Sequence, residues 1–191
     1  MRIDKLLVVF KTHLDIGYTD FASDVTKRYM ESYIPEAIRT AELLRKSGDE
    51  ARLVWTTGSW LIAEYLRTHT GEEREALCRA IRAGDVTWHG LPVTTHTEMM
   101  GAELFQYGLS LSQSLDREFG RKTIGAKMTD VPGHTKAIIP YMKRAGVEFL
   151  HIGVNPASLV PEVPPLFRWR CESGETINVM YQKDYGEFSP I

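Results

Sequence analysis

The fold is decided by Leu6-Leu7-Val8-Val9-Phe10, which leads directly into Lys11-Thr12-His13-Leu14-Asp15-Ile16-Gly17-Tyr18. A short aliphatic and β-branched run of this kind predicts a buried parallel strand. His13 and Asp15 come where that strand ends, and side chains two residues apart on a strand point to the same side. Sheets of α/β proteins carry ligands and catalytic groups at the carboxyl ends of their strands. The stretch therefore predicts a metal site or an acid–base pair at a sheet edge.

Composition describes an ordinary globular chain. It has 191 residues, 43% of them hydrophobic, and a formal net charge of −2. Acids and bases are spread along the chain, so we expect neither a nucleic acid nor an anionic membrane as a partner. The apolar run near the N-terminus is too short for a signal peptide or a membrane span, which predicts a soluble cytoplasmic protein. Cys78 and Cys171 are too few for a disulfide scaffold, and we expect both to be reduced.

Strand and helix patterns alternate along the chain, which predicts an α/β fold with a parallel sheet. The predicted strands are 6–10, 51–57, 86–89, 124–128 and 147–154, followed by a hairpin of 166–171 with 176–182. Helical spacing marks 20–47, with a second helix starting at Pro35, and then 59–69, 72–83, 98–119 and 135–145. His69 and His89 are expected on ordinary helix faces and loops.

About five strand–helix units are present, whereas a closed barrel needs roughly seven or eight. We therefore expect residues 1–191 to be one domain, the N-terminal part of a β/α barrel that continues beyond the chain.

Asp130 is the second anchor of a site. It follows the fourth predicted strand on a turn containing Pro132 and Gly133, the same topological place that His13 and Asp15 occupy on the first strand. One imidazole and two carboxylates form a ligand set suited to Zn²⁺, or to a harder divalent ion if more oxygen donors join, with positions open for substrate. Taken alone, Asp130 could instead be a turn residue, and the other two a polar pair bonded to loop amides.

Four stretches together resemble glycoside hydrolase family 38, the α-mannosidases. They are the His13-x-Asp15-x-Gly17-Tyr18 motif, the Trp-rich segment at 55–60, Gly-Asp-Val-Thr-Trp-His-Gly at 84–90 and Thr-Asp-Val-Pro-Gly-His-Thr at 129–135. The resemblance covers about residues 6 to 154. It implies the N-terminal part of a seven-stranded β/α barrel that holds one Zn²⁺ through His13, Asp15 and Asp130. It also implies a retaining hydrolase in which Asp130 is the catalytic nucleophile and a carbohydrate is the substrate.

The same resemblance suggests residues that contact the sugar. Tyr18 would stack under the ring, at a place where the family more often has Trp, and Trp55 could wall the pocket. His96 and Glu98 could line the cleft, or could form a capping pair at a helix start. The family's remaining His ligand and its general acid lie further along the chain than Asp130, and neither is placed before residue 191. We therefore expect the 191 residues to be inactive alone.

Two other functions stay open at this stage. A metal-dependent carbohydrate deacetylase also uses His and Asp ligands at strand ends, and would activate a metal-bound water instead of using Asp130 as a nucleophile. A non-catalytic sugar- or metal-binding protein is the alternative if 191 residues is the natural length.

Overall fold

The fold is mixed α/β. A computed structural model describes residues 10–48, 51–131, 133–155 and 157–183. The helices are α1 (Ala22–Arg28), α2 (Ile34–Lys46), α3 (Ser59–Thr68), α4 (Gly71–Ala83), α5 (Ala102–Phe119) and α6 (Ile139–Arg144). The strands are β1 (Phe10–Lys11), β2 (Trp55–Gly58), β3 (Val86–His89), β4 (Gly125–Asp130), β5 (Phe149–Val154), β6 (Leu166–Arg170) and β7 (Thr176–Gln182). Most of the predicted first strand, residues 6–9, lies outside the described residues, as does Pro132.

The chain forms two compact units. The first unit runs to Thr57 and adds Glu64–Thr87, and the second consists of Gly58–Ala63 and the chain from Trp88 onward. One sheet has the order β1-β2-β3, with Phe10 opposite Trp55 in a parallel pair. The other has the order β4-β5-β7-β6. Its pairs are parallel except for β6 with β7, which form the predicted hairpin.

In the first unit, the helical stretch predicted over 20–47 is continuous but not uniform. Residues Tyr29–Tyr33 form a π-helical turn between α1 and α2, and Pro35 stands at the first turn of α2. Proline is favoured there because the first N–H groups of a helix have no partner within it. Ile34, Ile38 and Ala41 are buried at the three- and four-residue spacing that places side chains on one face. The apolar pattern thus predicted the helix, and the π turn is an addition to it.

The second unit has a continuous hydrophobic core between its sheet and its helices. Alternate residues of β5 and β7 point into it, as the period of a strand requires, and Leu150 lies opposite Val179 in the register. Met128 of β4 and Met142 of α6 are fully buried in the same cluster. On the other face of the sheet, Lys127 Nζ donates to Thr129 Oγ1 at 2.9 Å and His151 Nε2 lies 2.5 Å from Gln182 Oε1.

Close packing around Pro92 fixes the start of α3 in the second unit. The N–H groups of Ser59 and Trp60 donate to the carbonyls of Leu91 and Pro92, at 3.0 and 3.2 Å. These bonds satisfy two of the N–H groups that every helix start leaves without a partner. The approach depends on glycine on both sides of the proline. A Cβ on Gly58 would lie 2.2 Å from the Pro92 carbonyl oxygen, and one on Gly108 would lie 2.7 Å from Pro92 Cγ.

The Asp116 carboxylate joins the end of α5 to the start of β4. Its Oδ2 accepts the Thr123 N–H at 2.7 Å, and its Oδ1 accepts the Thr123 hydroxyl at 2.7 Å. The Trp88 indole N–H also donates to Oδ1, at 3.0 Å, and Arg121 lies over the Trp88 ring. One buried indole is therefore held by a charge-assisted hydrogen bond and a cation–π contact.

His89 ends the strand predicted over 86–89, but it is buried, and the expectation of an ordinary loop histidine is wrong. Its Nδ1 accepts the N–H of Leu91 at 3.3 Å. Burial, together with the smaller effects of the charges of Lys127 and His151, lowers the pKa of His89 to about 3. The sequence did not reveal this burial, because nothing in it shows that the histidine is held in its neutral form.

The cysteines agree with the sequence prediction. Cys78 and Cys171 are free and buried. Across the described ranges, no helix combines the length and the apolar character needed to cross a membrane. Trp60 lies in the first turn of α3, within the helix predicted over 59–69.

The glycine at position 58 gives a stability prediction. Gly58→Ala should lower the free energy of unfolding by at least about 2 kcal/mol, because the new Cβ must displace a backbone carbonyl and the helix start bonded beside it. Urea unfolding followed by circular dichroism measures this. Gly125→Ala is the matched control, since nothing lies within 4 Å of a Cβ there. Equal effects of the two substitutions would contradict the packing argument.

The buried histidine predicts acid sensitivity. Below the ordinary histidine pKa the unfolded chain binds a proton at His89 and the folded chain does not, so stability falls as pH falls from about 6.5 toward 3. At pH 5 the loss from this group should be on the order of 2 kcal/mol. His89→Asn keeps an acceptor for the Leu91 N–H, so its melting temperature should change less between pH 7.5 and pH 5.0 than that of the wild type. Parallel pH profiles would show that His89 titrates normally.

Candidate functional site

His13 and Asp15 meet directly after β1. The Nε2 of His13 lies 2.9 Å from Oδ1 of Asp15, with the side chains 25% and 35% exposed. Two donors that share one tetrahedral Zn²⁺, each about 2.1 Å from it, are separated by about 3.4 Å, so this hydrogen-bonded pair needs to open by only about 0.5 Å to hold an ion. The pair therefore has a spacing compatible with common ligands of one ion, and is open enough to be reached from solvent. The predicted convergence of these two side chains is present within the first unit.

Three contacts within the first unit hold the segment that carries the pair. The N–H of Thr12 donates to the carbonyl of Thr56 at 3.0 Å, which extends the parallel pairing beyond β1. The Thr12 hydroxyl accepts the indole N–H of Trp55 at 2.5 Å. The Tyr29 hydroxyl donates to the His13 carbonyl at 3.5 Å. The backbone on both sides of His13 is thus tied to β2 and to the π-helical turn.

Tyr29 is a site residue that the sequence analysis did not identify. It begins the π-helical turn, and its ring packs edge-on against Tyr33 with centroids 5.0 Å apart. Burial raises the pKa of Tyr29, and the neighbouring Tyr33 and Asp15 raise it further. The phenol therefore stays protonated and able to donate. The helical spacing of Tyr29 in the sequence indicated a core residue. The π turn, which the sequence did not predict, is what sets it apart from the other apolar positions of this helix.

The chain beyond the pair turns outward. Gly17 has a φ of 78°, a left-handed conformation that glycine adopts at little cost. Tyr18 follows with 87% of its side chain exposed. An ion pair of Asp20 with Arg28, at 2.9 Å, and the Phe21 N–H bonded to Asp20 Oδ1, at 2.9 Å, then fix the entry to α1. An exposed aromatic ring next to a possible ligand pair is a surface on which a sugar ring could stack.

In the second unit, Asp130 ends β4 opposite Val154 of β5. It has a φ of 84° and is the single non-glycine residue with a positive φ among those that the structure describes. An L-residue pays about 1–2 kcal/mol for this conformation, although Asp tolerates it better than most. Strain of this kind is concentrated at functional sites, because surrounding structure must enforce it. Sequence patterns did not predict the strained backbone.

The segment after Asp130 is tied to a short 3₁₀ turn at Thr97–Met99. The buried Thr97 hydroxyl accepts the Thr135 N–H at 3.1 Å and lies 3.3 Å from His134 Nδ1. Through this contact His134 links the loop after β4 to the 3₁₀ turn. The other predicted residues of this segment, His96 and Glu98, are exposed, and His96 makes no side-chain capping bond at the turn.

The strained backbone of Asp130 gives a prediction that does not depend on activity. Asp130→Gly and Asp130→Ala both remove the carboxylate, but alanine keeps the Cβ that disfavours a φ of 84°. We expect the glycine variant to be more stable than the alanine variant by about 1 kcal/mol, although glycine loses more backbone entropy on folding. Thermal unfolding of the two variants measures the difference. A more stable alanine variant would mean that residue 130 has an ordinary backbone conformation in solution.

Comparisons with known proteins show a shared fold and no family. No family model matches the chain, and no curated protein matches it. An α-mannosidase from Enterococcus faecalis has a similar structure, with a TM-score of 0.71 and 14% identity, over 91% of this chain and 19% of that one. A glycosyl hydrolase family 38 protein from the same species has a TM-score of 0.64 at 13% identity, over 90% and 18% of the two chains.

A third similar structure belongs to an enzyme with a different activity from the first two. It is a 4-α-glucanotransferase from Thermococcus litoralis, with a TM-score of 0.60, 16% identity, and coverage of 91% of this chain and 27% of that one. This chain therefore spans about a fifth to a quarter of the length of these proteins. At such identities the likeness establishes the architecture: the chain has an α/β fold that also occurs in glycoside hydrolases.

Proposed function

We propose that this chain is the N-terminal part of a Zn²⁺-dependent retaining glycoside hydrolase of the α-mannosidase type. The observation that carries the proposal is the His13–Asp15 pair, whose donor atoms lie 2.9 Å apart at the end of a parallel strand. The fold shared with an α-mannosidase and with a family 38 hydrolase supports it. The motif resemblance noted in the sequence supports it independently.

In this proposal His13, Asp15 and Asp130 hold the metal. The imidazole and the two carboxylates are a donor set that Zn²⁺ accepts, and strands β1 and β4 present them at carboxyl ends, where α/β barrels build their sites. The Thr12 and Tyr29 contacts fix the backbone around His13, so that little ordering remains to be done on binding. When bound, the ion would coordinate sugar hydroxyls and stabilise charge developing on the ring.

Asp130 is proposed as the nucleophile. Its carboxylate oxygen attacks the anomeric carbon as the bond to the leaving group breaks, which gives a glycosyl ester that water then hydrolyses. The positive φ supports this role, because the conformation turns a side chain at the strand's end away from the direction that strand alternation would give it. A second carboxyl group must protonate the leaving group, and we propose that it lies in chain beyond residue 191.

The sugar would contact residues around these ligands. Tyr18 offers an exposed aromatic face, and Trp55 braces the metal-binding segment through Thr12. His96 and Glu98 are exposed and can hydrogen-bond hydroxyls. We propose these four residues as the substrate-binding set, with Trp55 also acting as a positioning residue.

Metal content tests the ligand set. The full-length natural protein should contain one equivalent of zinc by elemental analysis. His13→Ala should lose the metal, and Asp130→Asn, whose side chain tolerates a positive φ, should weaken binding by at least about tenfold. His69→Ala is the matched control, since that imidazole stacks on Tyr65 at the end of α3. Stoichiometric zinc in all three variants would exclude these ligands.

Covalent trapping tests the reaction. An activated fluoro-mannoside should add one glycosyl unit to the full-length protein, and peptide mapping should find it on Asp130. Asp130→Asn should not be labelled. Labelling at another carboxylate would remove Asp130 from the nucleophile's role. Zinc-dependent release of acetate from an N-acetylated sugar, without labelling, would instead establish the deacetylase reaction.

A further inference from the structure

The second unit contains a cavity of about 330 Å³ that the proposed function does not use. It lies beside the core-facing side of β5, β7 and β6, close to the loop that follows β4 and to the loop before β6. Most of its walls are aliphatic or aromatic. The side chains that matter here are Ile152, Val163, Phe167 and Trp169, together with the polar pair His134 and Tyr181.

Both polar wall residues carry a buried atom without a partner. Nε2 of His134 and the hydroxyl oxygen of Tyr181 are shielded from solvent, and neither has a hydrogen-bond partner within the described part of the chain. Buried polar groups of native proteins are almost always bonded, to protein, water or a ligand. Both residues line the same cavity, so a molecule bound there is a candidate partner for these two atoms.

The contacts of His134 determine which of its two ring nitrogens carries the proton. The Thr97 oxygen already accepts the Thr135 N–H at 3.1 Å, and its own hydroxyl hydrogen needs an acceptor. His134 Nδ1, at 3.3 Å, is that acceptor. The imidazole proton then resides on Nε2, the unpartnered atom. Burial, with a smaller effect of the charge of His96, lowers the pKa of His134 to about 4, so the ring is neutral at pH 7.

The occupant can be described from these walls. It meets an N–H donor from His134 and a hydroxyl from Tyr181 that can donate or accept, so it needs a polar atom that accepts hydrogen bonds, and a hydroxyl oxygen can both accept and donate. The flat rings of Phe167 and Trp169 favour an aromatic partner. None of the lining residues in the described ranges is charged at neutral pH, so a net charge on the ligand would be buried without compensation. A cavity of about 150 Å³ already accepts benzene, so one substituted ring fits easily.

We propose that this cavity is a binding site for a neutral phenolic compound, whose ring lies against Phe167 and Trp169 and whose hydroxyl bonds His134 and Tyr181. None of the residues proposed for the hydrolase lines it in the described chain. The proposal therefore holds or fails independently of the glycosidase assignment.

The probes are 4-fluorophenol and fluorobenzene, which share a ring and differ in the hydroxyl group. Fluorine NMR titration of the protein should show saturable binding of 4-fluorophenol, at least about tenfold tighter than that of fluorobenzene. Tyr181→Phe should weaken 4-fluorophenol binding by about tenfold and leave fluorobenzene binding unchanged. Tyr107→Phe, an exposed tyrosine on α5, is the matched control and should change neither.

A second variant guards against misfolding of the first. Val163→Phe adds a ring where the wall is aliphatic and should abolish binding of both probes while the circular dichroism spectrum and the melting transition are retained. Binding of 4-fluorophenol that survives both Tyr181→Phe and Val163→Phe would place the ligand elsewhere and overturn the proposal. Absence of saturable binding to the wild type would mean that the cavity holds water alone.

Discussion

Close backbone packing around Pro92 is the constraint on which the second unit depends. The carbonyls of Leu91 and Pro92 take the first N–H groups of α3, and only glycines at 58 and 108 leave room for the proline between them. A helix start without such partners would have to be capped by side chains or water. Here, main-chain atoms of the loop after β3 perform that task. The start of α3 is thus held against this loop by contacts that leave almost no room for a larger side chain.

The candidate site is organised on a different principle. His13 and Asp15 lie on a segment without regular secondary structure, and its geometry comes from single hydrogen bonds to Thr56, Trp55 and Tyr29. Asp130 lies at the end of a fully paired strand, but with a backbone conformation that the strand itself would not impose. Rigid elements therefore supply the positions, while local departures from regular geometry set the directions of the functional groups.

The spacing of apolar residues predicted most of the helices and strands, because each kind of element buries residues at its own regular interval. The helices over 59–68 and 71–83 and the strand over 86–89 agree with the sequence to within a residue or two. Local chemistry was harder to predict. The positive φ of Asp130 has no counterpart in the apolar pattern of the sequence, and His89 is more buried than its place at the end of a strand indicated. The convergence of His13 and Asp15 was predicted from strand period, but the two residues lie beyond the end of β1 and their segment is held by hydrogen bonds. The bracing role of Trp55 depends on a hydroxyl in a different segment.

The π-helical turn at Tyr29–Tyr33 carries a consequence for how this helix can vary. A π turn contains one residue more than the α-helical turn it replaces, so residues on its two sides are out of phase with a regular helix. Removal of a single residue there would leave a continuous α-helix with Ile34, Ile38 and Ala41 still on one face. It would, however, rotate the segment carrying Tyr29 by about 100° relative to them. A deletion of one residue could therefore preserve the packing of this helix and still remove its support for His13.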